Sequence, residues 1–406
     1  MKNMTYLEQY NLILIRYNEI WLKSQKVKIR MLRILMNNIK NMLKHANIPF
    51  HKYQLSRDSS RVFFFFKNED ISKAVKVCKK VFGIYSISPA LRTSSNLKNI
   101  IERSIEIGKE ILKNGDTFAL RVRRSGKHDF SSQDIAKQVG KAILDSFTEL
   151  NLKVDLTTPK RKIFIEVRDE FAYIFTQIIK TNWGGLPIEK NKKIVVMDIG
   201  RLNDLFAGFL MMKRGCEIYP IFFNISEDDK LLEQWLNNWR NITSYTPLSR
   251  FIVKNVDIFK ILKFISNKLI EKQYLCAMCR MVRFNIISKF LKESKFQNLQ
   301  ETRAISDGLS LNNSTICDDF VDLESLSLNY IFSEYPIFTP LIGFSLKAIK
   351  NIQNKISNHF LELNYCPFRP KNQEWNNKKI NNLYNSLDIK DLIKESIENT
   401  KDIVIS

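Results

Sequence analysis

Cys276 and Cys279 stand two residues apart and are followed by Arg280 and Arg283. A thiolate beside cations or near a helix start has a lowered pKa and is a better nucleophile, and cysteines at this spacing can exchange a disulfide. The same spacing puts both on one helix face, where a buried cysteine is an ordinary core residue. A structural zinc site needs four ligands, and of the other cysteines only Cys317 and Cys366 are plausible partners, at irregular spacing. A second group is cationic: Arg121, Arg123, Arg124 and Lys127. Alternate strand residues share a face, so Arg121 and Arg123 point together, and Arg124 and Lys127 extend the patch into the next turn. Arg16, Lys23 and the run Lys160-Arg161-Lys162 enlarge it. Such a patch suits phosphate contacts, which set affinity and position but not sequence; the plainer reading is a solvated charged face. The third group is the turn at Gly200. A loop that cradles phosphate needs successive free N–H groups and residues that tolerate φ > 0, hence glycine and serine. Here one glycine is flanked by Ile199, Arg201 and Leu202; Asp198 and Asp204 repel phosphate, while Arg201 and Asn203 attract it. An ordinary βα turn and a nucleotide site both remain open.

These groups need elements to position them. Ile194 to Met197 reads as a buried strand, Leu205 to Lys213 as a helix and Ile218 to Phe223 as a second buried strand, a βαβ unit whose first turn faces the strands' carboxyl ends. Upstream, Tyr10 to Tyr17 and Arg61 to Phe66 read as strands, and Val27 to His45 and Ile71 to Val81 as helices, which suits a small ferredoxin-like α+β domain. Phe82 to Ala90 reads as a connector and Leu97 to Leu112 as a helix. Thr117 to Arg124 is a strand, and Ser131 opens a helix with Asp134 at the capping-box position. Lys162 to Arg168 and Phe171 to Ile178 form a hairpin around Asp169-Glu170, and Gly184-Gly185-Leu186-Pro187 breaks the chain. Beyond the βαβ unit come a helix at Lys230 to Trp239, short strands at Arg250 to Val253, Gln300 to Ile305 and Tyr335 to Phe338, one helical region from Val256 to Leu291, and a helix at Leu346 to Ile356. An amphipathic segment lies near Ile389 to Ile397.

The 406 residues allow two or three domains, and 44% apolar content allows a large core. Residues 1–190 carry 35 Lys and Arg against 18 Asp and Glu, and residues 191–406 carry 29 against 24, so most of the net charge of +22 sits in the first half. A basic half joined to a near-neutral α/β half points to a polyanion-binding module on a catalytic one. Four scattered histidines argue against a His-based metal site. No apolar run approaches the roughly 20 residues that span a bilayer, no secretion signal opens the chain, and six cysteines in so long a chain do not make a disulfide scaffold. A cytoplasmic protein is expected.

Several segments carry motifs. Arg16 to Lys23 reads R-Y-N-E-I-W-L-K; Phe82-Gly83-Ile84 precedes Ser88-Pro89-Ala90; Gly184 to Pro187 reads G-G-L-P; Leu210 to Gly215 reads L-M-M-K-R-G; Pro340 to Ile349 reads PLIGFSLKAI. In this order they resemble the tRNA 4-thiouridine synthetase (tRNA sulfurtransferase) family, with Arg121 to Ser131 resembling the core of its THUMP domain and Cys276 and Cys279 the C-x-x-C of its archaeal type, which lacks a rhodanese extension. The resemblance implies an α/β multidomain protein: a ferredoxin-like α+β domain (1–80), an α/β THUMP domain that binds tRNA (81–183), a Rossmann-like PP-loop ATP-pyrophosphatase domain with a parallel sheet (190–370) and a C-terminal tail (371–406). It implies adenylation of a tRNA uridine by ATP with Mg2+, then thiolation by sulfur from an external persulfide source such as a cysteine desulfurase or sulfide. A link to thiamine thiazole synthesis and a homodimer are also implied. Cys276 and Cys279 take the catalytic role. Met197, Asp198, Gly200, Asn203, Phe222, Phe223, Arg280 and Ser306 take the ATP side, and Arg16, Lys23, Arg121, Arg123, Arg124 and Lys127 the tRNA side; no metal-binding residues are assigned. This sequence departs from the pattern at two places. The PP-loop S-G-G-x-D-S corresponds to Ile199-Gly200-Arg201-Leu202-Asn203-Asp204, and T-G-[DE]-S-L-G-Q to Ile305 through Leu311. A working sulfurtransferase, a catalytically impaired tRNA-binding paralogue and a cysteine-based sulfur carrier are the readings that follow.

Overall fold

The computed structural model describes residues 8–227, 229–292, 299, 301–311, 323–362 and 366–405. The chain divides into two compact units, Met1–Leu186 and Pro187–Ser406.

The first unit runs β1 (Leu12–Arg16), α1 (Gln25–His45), β2 (Lys52–Leu55), β3 (Val62–Phe65), α2 (Asn68–Cys78), β4 (Ser86–Ser94), α3 (Leu97–Ile111), β5 (Thr117–Ser125), α4 (Ser132–Ser146), β6 (Lys153–Val154), β7 (Arg161–Arg168), β8 (Phe171–Phe175) and β9 (Ile179–Lys180). Its sheet has the order β2-β3-β1-β4-β8-β7-β5-β6, with β9 also on β4. The apolar run of β1 is buried on both faces because side chains alternate across a strand. Ile13 and Ile15 join the helix-side core with Leu32, Leu35 and Ile39 of α1, while Leu12 and Leu14 pack with Phe63, Phe65, Tyr173 and Phe175 on the other face. Of the expected connector at Phe82 to Ala90, only Phe82 to Tyr85 lies outside regular structure; Ser86 to Ala90 begin β4, which joins the two halves of the sheet. Its proline accounts for the difference. Pro89 has no N–H to donate, and on the edge away from β1 it falls between the β9 pairing at Ser86–Ile87 and the β8 pairing at Leu91–Ser94.

The second unit runs β10 (Glu189–Asp198), α5 (Leu202–Lys213), β11 (Cys216–Asn224), α6 (Asp229–Thr243), β12 (Phe251–Asp257), α7 (Phe259–Lys268), α8 (Leu275–Lys292), β13 (Ile305–Asp307), α9 (Leu323–Phe332), β14 (Ile337–Phe338), α10 (Leu346–Ile356), α11 (Asn377–Ser386), α12 (Lys390–Glu398) and β15 (Lys401–Ile405). Its sheet order is β14-β13-β10-β11-β12-β15, parallel except for the β12–β15 pair. The expected α/β class is therefore the observed one. The chain winds outward from β10 to β12 and then returns to β13 on the other side. That makes the carboxyl ends of β10 and β13 the topological switch point, the crevice where open α/β sheets bind ligands. The single helical region expected from Val256 is three pieces: the end of β12, then α7 and α8, separated at Leu269, whose ψ of 119° is extended. The last residues do not trail away, since β15 pairs with β12 and closes that edge.

Candidate functional sites

A cavity of about 460 Å³ opens in the first unit, lined by Arg16, Arg121, Arg123, Lys162, Phe164 and Phe175 among others. Three local features build it. The alternation of β5 sends Arg121 and Arg123 to one face. The parallel partner β7 sets Arg121 opposite Phe164. The start of α4 supplies Ser132 and Gln133, fixed by a complete capping box in which Asp134 N donates to Ser131 Oγ (3.1 Å) and Ser131 N donates to Asp134 Oδ2 (2.8 Å). A helix N-terminus carries partial positive charge and so adds to the cationic wall. Phe164 and Phe175 stack with centroids 5.1 Å apart.

Arg16 is placed differently from a free phosphate contact. It is 9% exposed and donates to Glu166 Oε1 (2.8 Å) and Ser88 Oγ (2.9 Å). Glu166 also accepts from Arg61 (3.0 Å) and Arg168 (3.2 Å). Burial works against its charge, but Arg16, Arg61 and Arg168 outweigh it and hold the carboxyl at about 2. Lys160 and Arg161, expected to enlarge the patch, are both drawn to Asp116; Lys162 alone of that run lines the cavity. Arg124 points to the opposite face of β5, is exposed and donates to Gly126 O (3.1 Å). Lys127 and Lys23 are also exposed, the latter just after the short 3-10 turn Glu19–Leu22. None of these three lines the cavity.

At the switch point of the second unit, the turn after β10 is filled from within. Gly200 takes φ +95° and its N–H donates to Asp198 Oδ1 (2.6 Å). Asp198 Oδ2 accepts from the indoles of Trp235 (2.7 Å) and Trp239 (2.9 Å), four residues apart on α6. Burial, with Asp204 beyond it, pushes Asp198 up to about 7. Arg201, in the place of the motif's second glycine, is 3% exposed. Its Nε donates to Asp204 Oδ2 (3.0 Å), a second nitrogen reaches Asp204 Oδ1, and that nitrogen lies 3.5 Å from Asp307 Oδ1. Asp204 Oδ2 also accepts from Ile199 N (3.2 Å). Arg280 completes the set by donating to Asp307 Oδ2 and to Asn329 Oδ1 (2.7 Å). Gly308 presses on the start of α5: a Cβ there would lie 2.4 Å from Asp204 N.

The other residues assigned to the nucleotide side are core. Met197, Phe223 and Ser306 are fully buried, Asn203 is 4% exposed, and Phe222 stacks on Trp235 with centroids 4.6 Å apart. In this arrangement the residues do not fit a polyphosphate. The carboxylates of Asp198 and Asp204 take the N–H groups of Gly200 and Ile199, and Arg201 is committed to two carboxylates. The carboxylates of Asp198, Asp204 and Asp307, which a magnesium ion would need, are all engaged by N–H groups. Residue type and position in the turn mark out Asp198, Arg201 and Asp204. Asp307 lies in the Ile305–Leu311 segment aligned with the second motif, but neither signal points to Asn329 or the two tryptophans, which reach this site from helices α9 and α6.

Helix α8 is buried on most sides, because its apolar residues do not keep to one stripe. It carries Cys276, Cys279, Arg280 and Arg283 onto a small cavity of about 30 Å³ that also receives Ile199, Cys366 and Trp375. Burial, and then the nearby Cys279, push the Cys366 thiol up to about 11. Among the described residues no three His, Cys, Asp or Glu are gathered at metal-binding spacing; Cys317 lies outside the described residues. No described helix is long and apolar enough to cross a membrane.

Comparison with known proteins gives a consistent set of matches. Residues 12–88 match the ThiI ferredoxin-like domain, residues 94–177 the THUMP domain, and residues 192–384 the thiamine biosynthesis protein (ThiI) family. The chain is 30% identical over 356 residues to a probable tRNA sulfurtransferase of Methanosarcina acetivorans, covering 86% of this chain and 82% of that protein. It is also 30% identical over 367 residues to one of Saccharolobus solfataricus, covering 89% and 91%. Among solved structures, a 4-thiouridine synthetase in complex with RNA and ATP superposes with a TM-score of 0.80 over 98% of this chain and 100% of that one, at 23% identity, a likeness of fold. A Pyrococcus horikoshii protein gives 0.62 at 26% identity, over 85% and 99%.

Proposed function

Because the chain belongs to the tRNA sulfurtransferase family, we propose that it binds tRNA through the cavity of its first unit and serves ATP-dependent conversion of a tRNA uridine to 4-thiouridine, with sulfur carried on Cys276 or Cys279 from an external donor. The observation that carries this reading is the cavity itself. Arg121, Arg123, Lys162 and the α4 N-terminus offer phosphate contacts beside the stacked rings of Phe164 and Phe175, the combination of cations and aromatic faces that suits single-stranded nucleotides.

A second reading is favoured by one observation, the buried set of Arg201, Asp204, Asp307 and Arg280. On that reading the chain binds tRNA and handles sulfur but does not adenylate, and it works beside an active enzyme. The two part at the nucleotide. The full chain is titrated with ATP, with and without tRNA, and then incubated with tRNA, ATP, magnesium and a sulfur donor; the digested tRNA is read by mass spectrometry. ATP-dependent 4-thiouridine establishes the first reading. Binding of tRNA with neither ATP binding nor product establishes the second, and absence of tRNA binding refutes both. The R121A/R123A variant should bind tRNA more weakly. The slope of log K against log salt should fall by about 1 for each phosphate no longer neutralised, or about 1 to 2 in all. Unchanged affinity and slope would remove the cavity from the interface.

A further inference from the structure

A cavity of about 550 Å³ opens in the second unit where the 3-10 turn Lys272–Tyr274 meets the segment from Pro367 to Glu374. That volume suits a nucleotide-sized ligand. Three exposed cations line it, Lys272, Arg369 and Lys371, against one carboxylate, Glu374. The carboxylate is engaged, since its Oε2 accepts from Tyr274 Oη (3.1 Å). Lys272 Nζ donates to the carbonyl of Ser266, and among the described residues neither Lys272 nor Lys371 meets a carboxylate. The cavity therefore carries a positive potential that draws anions. Its backbone is fixed in advance. Arg369 N donates to Cys366 O (3.3 Å), closing a turn with Pro367 at its second position, and Pro370 sets the next φ. Glu374 N donates to Gln273 O (3.2 Å) and ties this segment to the 3-10 turn. A backbone already ordered loses little freedom when a ligand arrives. Apolar surface comes from Leu275 and from Phe368, a half-buried ring whose other contact is Phe259, with centroids 5.3 Å apart.

We propose that this cavity binds a nucleoside phosphate, with Arg369, Lys371 and Lys272 around the phosphate and Phe368 against the base. Cations beside an accessible ring suit a nucleotide, because the phosphate takes the charge and the base takes the aromatic surface. The turn after β10 does not fit a polyphosphate, so this cavity supplies the second unit with a phosphate site that its sheet turn lacks. Leu275 and Phe368 also border the α8 cavity, which places the base beside the start of that helix. The phosphate is a phosphodiester of an RNA strand or that of a free nucleotide. The RNA source rests on the reading that the chain binds tRNA; the free source does not.

The test uses the full chain in two arms. In one, labelled AMP and ATP are dialysed to equilibrium against the protein. In the other, tRNA binding is titrated over a series of salt concentrations. R369M/K371M changes two exposed side chains, where substitutions leave the fold nearly unaffected. K347M/K350M removes the same charge from exposed positions of α10, outside the cavity. Wild-type protein binds in at least one arm, and the arm identifies the source. In that arm R369M/K371M weakens binding about tenfold, as loss of charge-assisted phosphate contacts requires, and K347M/K350M does not. In the RNA arm the slope of log K against log salt also falls by about 0.7 to 0.9 for each phosphate released. F368L keeps an apolar contact to Phe259 and loses the ring, and it weakens binding about fivefold or more in the same arm. No binding in either arm, R369M/K371M equal to wild type in both, or an equal loss in K347M/K350M overturns the site; unchanged binding by F368L overturns its nucleoside part. Unchanged tRNA affinity and slope in R369M/K371M, with no uptake of AMP or ATP, removes this cavity and leaves the tRNA reading standing. Absence of tRNA binding by the wild type removes that reading, and nucleotide uptake that R369M/K371M weakens then supports the site through the free source.

Discussion

Replacing Arg201 by methionine tests whether the turn after β10 is held by its own charges. Arg201 and Arg280 supply two positive charges, and Asp204 and Asp307 supply two negative ones. All four residues are nearly or fully inaccessible to solvent. R201M leaves the set with one uncompensated negative charge, and Asp198 lies close enough to be raised by it. Removing one partner of a buried ion pair costs about 3–5 kcal/mol, whereas removing both can be nearly neutral. R201M should therefore lower the stability of the second unit by about 3–5 kcal/mol, a fall in Tm of roughly 6–20 °C for a unit of this size. R201M/D204N restores charge balance and keeps an acceptor for Ile199 N, so it should recover most of that loss. D204N alone should cost less than R201M, because Arg201 keeps Asp307. Urea unfolding followed by tryptophan fluorescence is the assay, since Trp235 and Trp239 sit directly on Asp198. An R201M protein within about 1 kcal/mol of wild type, or a double variant as unstable as R201M, would refute the buried network as the element that fills the turn.

Two further predictions concern titration and reactivity. Glu166 is depressed to about 2 from 4.5 in the folded state, so its stabilising contribution is full above pH 4.5 and is lost as pH falls toward 2. At about 1.4 kcal/mol per unit this amounts to roughly 3 kcal/mol. The E166Q variant should lack that part of the acid dependence, measured as stability against pH between 5 and about 2; an unchanged acid limb would show that Glu166 is not its source. The thiol of Cys78 is fully buried and pushed up to about 12 by that burial, so native protein should alkylate at Cys276 and Cys279 well before Cys78. Equal rates, read by peptide mass spectrometry, would mean that the native core opens as readily as the α8 cavity.

Much of the fold is legible along the chain because its signals are local. The apolar runs of β1, β3, β10 and β11 are contiguous, and the Ser131–Asp134 capping box lies within four residues. Arg121 and Arg123 share a face by strand geometry alone. The Phe82–Ala90 segment reads as a connector because Gly83 and Pro89 are turn signals, and only the staggered pairing of β9 and β8 shows why a proline is tolerated inside β4. The helical region after Val256 reads as continuous because apolar periodicity carries no marker for the extended residue at Leu269.

Residue type and spacing suffice for the three candidate chemistries, the βαβ unit and the family resemblance, because each is a property of neighbours along the chain. Which charges are available is a matter of the folded arrangement alone. Arg16 is neutralised by Glu166, 150 residues away, and Arg201 meets Asp307 across 106 residues. Lys160 and Arg161 are taken by Asp116, while Arg283 lies buried beside three cysteines and an indole from distant segments, with a donor that meets no partner among the described residues. The physical reason is that Coulomb energy and desolvation depend on distance and burial in space. Sheet order sets both, and spacing in the sequence does not.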